Sequence, residues 1–323
     1  MRAIQITGYG GPTAVELVEV PTPTPADGQV LIEVHAAGAS FPQVLQSQGL
    51  YQSQPELPFV PGVELAGVIA EAPPGSALSV GDRVAGSLRT GGFAEYAVVD
   101  ERSVFPLPDS VSFAQGAAFP LNYLTAHFAL VTRGRLAAGE SVLVHGAAGG
   151  VGTASIQMAK AFGASTVIAV VSTEEKGAIA LAAGADHFVL SEGFKDQVAA
   201  LTEGRGVDVV VDPVGGDRFT DSLRSLSLGG RLLVIGFTAG EIPTVKVNRL
   251  LLSNVDVVGV GWGAYLQKRP DYVLQQWAEV QPHLASGALD PVIGASFPLE
   301  RTGEALAAID ERRATGKVVL TLR

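Results

Sequence analysis

The chain of 323 residues contains no cysteine. This absence excludes disulfide bonds, thiol redox chemistry and thiolate metal ligands. The five histidines lack the spacing of a metal-ligand set and are scattered along the chain, as His35, His127, His145, His187 and His283. We therefore expect neither a catalytic nor a structural zinc ion.

Long apolar runs and an excess of positive charge are also missing. No run reaches membrane-spanning length, and no charged-then-apolar leader opens the sequence, so we expect a cytoplasmic protein without membrane contact. Acidic residues number 32 against 22 basic residues, and the net charge of −10 argues against a nucleic-acid partner. A hydrophobic content of 47% with 17% charged residues is typical of a globular enzyme, and the length allows two domains.

The most informative segment is 141–163. Its apolar start, 141–144, predicts a strand that is buried on both faces. A glycine-rich turn follows at 146–152, and small residues then recur at helical spacing. The turn has the form A-x-G-x-x-G, with Ala147 in the place of the first fingerprint glycine. A strand before the turn and a helix after it indicate a dinucleotide site rather than an ordinary turn.

Two glycines of this turn have predicted structural roles. Gly149 lets the backbone approach a phosphate, and Gly152 lets the helix lie close to the strand. The free N–H groups of the first helical turn then face the anion. The expected cofactor contacts here are Ala148, Gly149, Gly150 and Val151.

The strand–helix pattern continues beyond this turn. A helix is predicted at 174–183, and further strands at 166–171, 187–190, 207–212, 231–237 and 255–260. Strands that alternate with helices indicate a doubly wound parallel sheet, here a Rossmann sheet of six strands. The fold class is therefore α/β.

The residues after the second strand favour NADPH over NADH. An NAD site usually has an acidic residue about 20 residues beyond the turn, where this chain has Ser172. Ser172, Thr173 and Lys176 could receive a 2′-phosphate, which a carboxylate would repel. The two glutamates at 174–175 complement the dipole of the helix that they begin. The alternative interpretation of Lys176 is a solvated helix residue.

The first hundred residues have a different residue pattern from the strand–helix region that follows them. Short strands are predicted at 29–34, 80–84 and 92–97, and 60–69 is predicted as a turn that enters another strand, with glycine turns between these elements. This spacing is typical of a compact, barrel-like β domain. The strand-like end of the chain, 317–322, is predicted to return to that domain.

This combination resembles the medium-chain dehydrogenase/reductase superfamily, and within it the zinc-free quinone oxidoreductase (zeta-crystallin-like) branch. The matching motifs are 38–42, 49–51, 61–68, 80–84, 92–96, 147–152, 212–216 and 236–240. The resemblance implies a GroES-like catalytic domain over 1–120, completed by 266–323, and an NADPH-binding Rossmann domain over 121–265.

The resemblance also bears on metal binding. Zinc-dependent relatives have Gly-His-Glu where this chain has Gly62-Val63-Glu64. Without a metal, Glu64 is expected to be a buried carboxylate that holds loop backbone or an arginine by hydrogen bonds.

The candidate catalytic residues come from the segment 40–51. The branch commonly has Asn, then Asp, then Gly-x-Tyr in this segment, and the corresponding residues here are Ser40, Gln43 and Tyr51. Tyr51 either donates a hydrogen bond to the substrate or packs in a cleft wall.

Further cofactor contacts are implied by the same resemblance. Thr125 matches a helix residue near the nicotinamide, with helix filler as its alternative. Val214, Gly236 and Phe237 follow the fourth and fifth strands, at the edge of the sheet where ligands bind. Phe237 either covers the nicotinamide ring or belongs to the core.

These observations lead to three functional hypotheses. The first is an NADPH-dependent quinone oxidoreductase, because a conjugated acceptor needs no Lewis acid and the enzyme supplies mainly proximity and orientation. The second is reduction of an enone or enoyl double bond, and the third is a low-turnover NADPH-binding sensor. The expected partners are a small quinone or conjugated carbonyl and a second copy of the chain, bound through the sixth-strand edge.

Overall fold

The computed structural model describes residues 1–323. The strands are β1 (Arg2–Ile6), β2 (Val15–Glu19), β3 (Gln29–Ala39), β4 (Glu64–Glu71), β5 (Arg83–Ser87), β6 (Tyr96–Asp100), β7 (Val104–Pro106), β8 (Ser141–His145), β9 (Thr166–Val171), β10 (His187–Leu190), β11 (Val207–Asp212), β12 (Leu226–Val234), β13 (Asp256–Gly259), β14 (Ile293–Pro298) and β15 (Lys317–Thr321). The helices are α1 (Phe41–Gln48), α2 (Phe113–Ala118), α3 (Pro120–His127), α4 (Gly150–Ala161), α5 (Glu174–Ala182), α6 (Phe194–Leu201), α7 (Phe219–Arg224), α8 (Asn248–Ser253), α9 (Trp262–Lys268), α10 (Tyr272–Ala285) and α11 (Thr302–Asp310). None of these helices has the length and apolarity that a membrane span requires.

The chain divides into two compact units. The first unit consists of Met1–Asn122, Asp271–Ala285 and Pro291–Arg323. The second unit consists of Tyr123–Pro270 and Ser286–Asp290. The short return segment 286–290 is held in the second unit by Gln157, whose side chain donates to the Asp290 carbonyl at 2.7 Å and accepts from its amide at 2.8 Å.

The first unit is built on a seven-stranded sheet. Its path is β14-β15-β3-β4-β5-β7, with β6 paired to β3. The long strand β3 is central because it pairs with β4, β6 and β15. The prediction that the C-terminal strand returns here is confirmed, since Val318 stands opposite Ala39 and Leu320 opposite Ala37. The core contains aliphatic side chains from both ends of the chain, including Ile32, Leu65 and Leu320.

Two strand boundaries in this unit were predicted wrongly. Strand β5 begins at Arg83 rather than at 80, and β6 begins at Tyr96 rather than at 92. Gly81 has a φ of +97° and forms a turn, so the extended conformation of β5 starts only after it. Before β6, Ala94 forms only an isolated bridge with Ala3.

The second unit confirms the predicted doubly wound sheet. Its six strands have the order β10-β9-β8-β11-β12-β13, and every neighbouring pair is parallel. All five residues of β8 are buried, which explains the unbroken apolar run in the sequence. The order reverses at β8, so the carboxyl ends of β8 and β11 lie at the switch point where such folds bind ligands.

The fifth strand of this sheet differs from its prediction. Strand β12 spans Leu226–Val234 rather than 231–237. Its early part pairs with β11 through Leu226 opposite Val207, with a register shift before Arg231. At its far end, the amide of Ile235 donates to the Asp212 carbonyl at 3.0 Å, so residues 235–237 belong to the loop at the sheet edge.

Candidate functional site

The glycine-rich turn leaves no room for side chains where it meets helix α4. Gly146 follows β8 with a φ of +58°, and Gly149 is the N-cap of α4. A Cβ on Gly152 would lie 2.2 Å from the Gly146 carbonyl oxygen and 2.7 Å from Ala147 Cα. The prediction that Gly152 allows close packing of the helix on the strand is therefore confirmed.

Free backbone donors line the start of α4. The amide of Gly149 donates to the Gly146 carbonyl, and the amide of Thr153 donates to Gly149, both at 2.9 Å. Between them, Gly150, Val151 and Gly152 have no acceptor within the helix. Three adjacent free amides at the positive end of a 12-residue helix form an anion-binding cradle. Ala148 is 4% exposed, so it can contribute through its backbone alone.

The predicted 2′-phosphate residues follow the end of β9. Ser172 is exposed, and Lys176 is half-buried in the first turn of α5. Thr173 is the N-cap of α5, and its Oγ1 accepts the amide of Lys176 at 3.3 Å. The pKa of Glu175 is lowered by its own backbone amide and by the Thr173 hydroxyl. Thr173 is thus engaged in capping, and Ser172 and Lys176 stay the predicted contacts of a 2′-phosphate.

Two linked loops form the carboxyl edge of the sheet beyond β11 and β12. The carboxylate of Asp212 accepts the amides of Val214 and Gly215, both at 2.9 Å. The amide of Ala239 donates to the Val214 carbonyl at 2.9 Å, which ties the second loop to the first. The structure therefore brings Val214 together with the loop that contains Gly236. Sequence analysis missed Asp212, although an aspartate at a strand end before Pro-Val-Gly is a signal for such a turn.

The aromatic ring of Phe237 lies on this edge. A Cβ on Gly215 would be 3.0 Å from Phe237 Cδ1, so the ring packs over the glycine. Phe237 is partly exposed, so its ring does not belong to the buried core. Thr125 lies in α3 and is 9% exposed.

The buried histidine before the turn is uncharged. Nε2 of His145 lies 2.8 Å from Ser222 Oγ, and this hydroxyl donates to the Arg218 carbonyl at 3.0 Å. The single proton of Ser222 is therefore engaged, which leaves His145 Nε2–H to donate to Ser222. Burial lowers the pKa of His145 to about 4.

In the first unit, the start of α1 brings two predicted residues together. Ser40 is the N-cap of α1, and its amide donates to Gln43 Oε1 at 2.9 Å. Gln43 is fully buried, and its Nε2 has no hydrogen-bond partner. Tyr51 follows the other end of α1, after the left-handed C-cap Gly49, and is half-buried. Burial raises the pKa of Tyr51 above its ordinary value, and a tyrosine phenol is already protonated at neutral pH without this shift.

Glu64 is a buried carboxylate with two kinds of partner. Its exposed fraction is 0%, and Oε2 accepts the amide of Leu121 at 2.8 Å. Oε1 accepts from Lys317 Nζ, which also donates to Ser40 Oγ. The prediction of a buried carboxylate that holds backbone is confirmed, but the cation is a lysine rather than an arginine. Sequence analysis did not find Lys317 because it lies 253 residues from Glu64.

The surroundings of Glu64 do not fit a zinc ion. No group of three or more His, Asp or Glu side chains is close enough to hold a metal. The ammonium of Lys317 supplies the positive charge beside the carboxylate. A Cβ on Gly38 would lie 2.6 Å from Glu64 Oε1, so the carboxylate also fills the space next to strand β3.

The two units match two described families. Residues 26–109 match the alcohol dehydrogenase GroES-like domain, and residues 150–279 match the family described as zinc-binding dehydrogenase. Quinone oxidoreductase-like protein 2 of Bos taurus is 38% identical over 311 residues, which cover 95% of this chain and 89% of the bovine protein.

The chain belongs to the quinone oxidoreductase branch of the medium-chain dehydrogenase/reductase superfamily. Proteins with solved structures are similar to this chain over its full length. A probable oxidoreductase from Mycobacterium abscessus is 41% identical with a TM-score of 0.91 and covers 100% of this chain and 99% of its own. The quinone oxidoreductase of Thermus thermophilus, solved also in complex with NADPH, is 35% identical with a TM-score of 0.88 over 100% of both chains. The predicted family and the predicted combination of a GroES-like domain with a Rossmann sheet are thereby confirmed.

Proposed function

We propose that the protein is an NADPH-dependent reductase that transfers hydride to a quinone. The observation that carries this proposal is the cradle of free amides at Gly150, Val151 and Gly152, followed after β9 by Ser172 and Lys176 instead of a carboxylate. The related Thermus protein has a structure with NADPH. Relatives of this chain are named quinone oxidoreductases.

The second unit offers matched groups for each part of the cofactor. The cradle suits the pyrophosphate, because unpaired amides at a helix N-terminus bind anions. Ser172 and Lys176 suit a 2′-phosphate, through a hydroxyl donor and a positive charge. Thr125, Val214, Gly236 and Phe237 are assigned to the nicotinamide end, where the partly exposed ring of Phe237 can cover an apolar surface. When bound, NADPH supplies the hydride from nicotinamide C4.

The first unit supplies the candidate substrate contacts. Reduction of a quinone leaves an oxyanion, which hydrogen-bond donors stabilise during hydride transfer. Tyr51 is assigned as one donor, because its half-buried phenol is protonated at neutral pH and carries an O–H. The hydroxyl of Ser40 is assigned as a second, and the buried amide of Gln43 holds the start of α1 beside it. The proton then comes from water, since a delocalised anion needs no dedicated acid.

Double-bond reduction is the second candidate, because an enone would accept hydride in the same way and leave an enolate. A purified-protein assay separates the candidates by NADPH oxidation with a benzoquinone, an ortho-quinone, an enone and crotonyl-coenzyme A, each repeated with NADH. We expect turnover with the quinones and a preference for NADPH. Turnover with the enone or thioester alone would replace the quinone assignment. Tight NADPH binding without any turnover would favour a sensor.

A homodimer through the edge of the Rossmann sheet is part of this proposal. Strand β13 pairs with β12 on one side and has no partner on the other. Four large apolar side chains in the neighbouring segment are more than 70% exposed, namely Ile242, Val247, Leu251 and Leu252. An unpaired strand edge with exposed apolar residues favours association with a second copy. Sedimentation equilibrium of the purified protein measures this directly, with a dimer mass as the expected result.

A further inference from the structure

The ion pair of Lys317 and Glu64 has a third member, the hydroxyl of Ser40. The side chains of Lys317 and Glu64 are 4% and 0% exposed, whereas Ser40 is half-buried. Lys317 Nζ donates to Glu64 Oε1 and to Ser40 Oγ. A buried charge pair therefore ends at the hydroxyl of a half-buried serine.

The donation from Lys317 decides which way the Ser40 proton can point. A hydroxyl has one proton and two lone pairs. Since the lysine N–H occupies one lone pair, the proton of Ser40 must point away from Nζ. The available carboxylate oxygen, Glu64 Oε1, is 3.4 Å from Ser40 Oγ and already accepts from Lys317. This is at the long limit of a hydrogen bond, so the Ser40 proton has only a weak internal acceptor.

The remaining contacts of the cluster give the Ser40 proton no stronger acceptor. Glu64 Oε2 is engaged by the amide of Leu121. The amide of Ser40 is engaged by Gln43, so the backbone at the N-cap is fixed. Glu64 Oε1 occupies the space beside Gly38 on β3, since a Cβ on that glycine would lie 2.6 Å from it.

We propose that Lys317 is a positioning residue for the reduction, which directs the hydroxyl proton of Ser40 toward the oxyanion that forms on the substrate. The positive charge behind Oγ strengthens this donor, because hydrogen bonds that involve ionised groups are stronger than neutral ones. No proton leaves Lys317 in this step, and the oxyanion is protonated by water. The inference rests on the proposed function, since it concerns the reduced form of the proposed substrate.

Binding of 4-nitrophenol to the full-length protein with NADP⁺ tests the inference without turnover. Its phenolate mimics the oxyanion of a hydroquinone, and a spectroscopic titration gives the pKa of the bound phenol. In the wild type we expect this pKa to be lowered. In Glu64→Gln/Lys317→Met, which removes both buried charges together, we expect phenolate affinity to fall about tenfold while phenol affinity is unchanged.

Variants of Ser40 test the path of the effect. Ser40→Ala should lose the same phenolate preference, and Ser40→Thr should keep it because the hydroxyl remains. Adding Ser40→Ala to the double variant should cause no further loss, since residues that act through one another are not additive. Glu64→Gln/Lys317→Gln, which keeps an N–H at position 317 and removes both charges, gives the same comparison if the first double variant does not fold.

The matched control removes a different ion pair, Glu140 and Arg231 in the second unit. Glu140→Gln/Arg231→Met should keep the phenolate preference. The inference is overturned if the wild type shows no phenolate preference, or if the Lys317 variants keep it while Ser40→Ala loses it. A wild type that prefers phenolate but reduces no quinone would contradict the proposed function and leave the inference standing. Quinone turnover without phenolate preference would support the proposed function and overturn the inference.

Discussion

The two units build their candidate sites in opposite ways. In the second unit, the anion cradle comes from seven consecutive residues, 146–152, and its donors are backbone amides. In the first unit, the polar cluster joins side chains from positions 40, 64 and 317, with Ser40 and Lys317 separated by 277 residues. A backbone site tolerates little change in shape, whereas a buried ion pair tolerates little change in charge. The comparison indicates which kind of substitution should damage each site.

The largest expected effect is loss of charge balance in the first unit. Glu64→Ala leaves the ammonium of Lys317 buried without its partner, so the free energy of unfolding should fall by about 3–5 kcal/mol. Urea denaturation measures this change. The control is Glu304→Ala, which breaks an exposed pair with Arg301 and should change stability little. Equal losses of stability in Glu64→Ala and Glu304→Ala would contradict the expected difference between a buried and an exposed ion pair.

The next effect is acid sensitivity of the second unit through His145. Its pKa falls to about 4 on folding because of burial, whereas in the unfolded chain it is about 6.5. The unfolded state therefore binds more protons than the folded state between these two pH values. The contribution of neutral His145 to the free energy of unfolding is fully present above pH 6.5 and is lost as the pH falls toward 4. The difference is roughly 3 kcal/mol.

Calorimetry at pH 7 and pH 4.5 tests this prediction. His145→Gln should reduce the loss of stability of the second unit between the two values, because the titrating group is gone. An unchanged loss in the variant would show that other groups cause the acid sensitivity.

A shape change should damage the cradle. In Gly152→Ala the new Cβ overlaps the Gly146 carbonyl oxygen at 2.2 Å, so α4 must move away from the turn. We expect a stability loss of about 2 kcal/mol and a large loss of NADPH affinity. Gly263→Ala in α9 is the matched control, since nothing lies within 4 Å of its Cβ. Normal NADPH affinity in Gly152→Ala would remove the cradle from the proposed site.

A smaller effect is expected where one side chain acts alone in the first unit. Tyr51→Phe removes the hydroxyl of a half-buried phenol. Turnover with quinones should fall about tenfold, the effect of one hydrogen bond in the transition state, with NADPH affinity unchanged. An unchanged rate with several quinones would leave Tyr51 as a packing residue.

The smallest effect should come from Lys176. Lys176→Ala should raise the NADPH dissociation constant about fivefold and leave the NADH constant unchanged, because a half-exposed charge contributes modestly to phosphate binding. Fluorescence titration with both cofactors measures the ratio. Lys195→Ala, at a surface lysine of α6, controls for a general change in charge. If both variants weaken NADPH equally, the 2′-phosphate assignment is wrong.

The accuracy of the sequence analysis differed from element to element. Strands β8 to β11 were predicted almost to the residue, and in β8, β9 and β11 the reason is that a buried parallel strand is a continuous apolar run. The end of β12 was wrong because the strand ends at Val234, and the loop that follows is tied to the β11 loop by the amides of Thr238 and Ala239. The turn at Gly81 moved the start of β5 for a related reason, since a residue type does not reveal its backbone angles.

The sequence by itself determined the doubly wound sheet and the glycine turn, because periodicity and the conformational freedom of glycine act over a few neighbouring residues. The family followed from the resemblance of its motifs to those of known proteins. Only the tertiary structure revealed that Lys317 completes the cluster of Glu64 and Ser40, and that Asp212 shapes the loop beside Val214. A charged side chain finds its partner through strand pairing, and β15 meets β3 only after the chain has folded. Spacing in the sequence contains no record of that meeting.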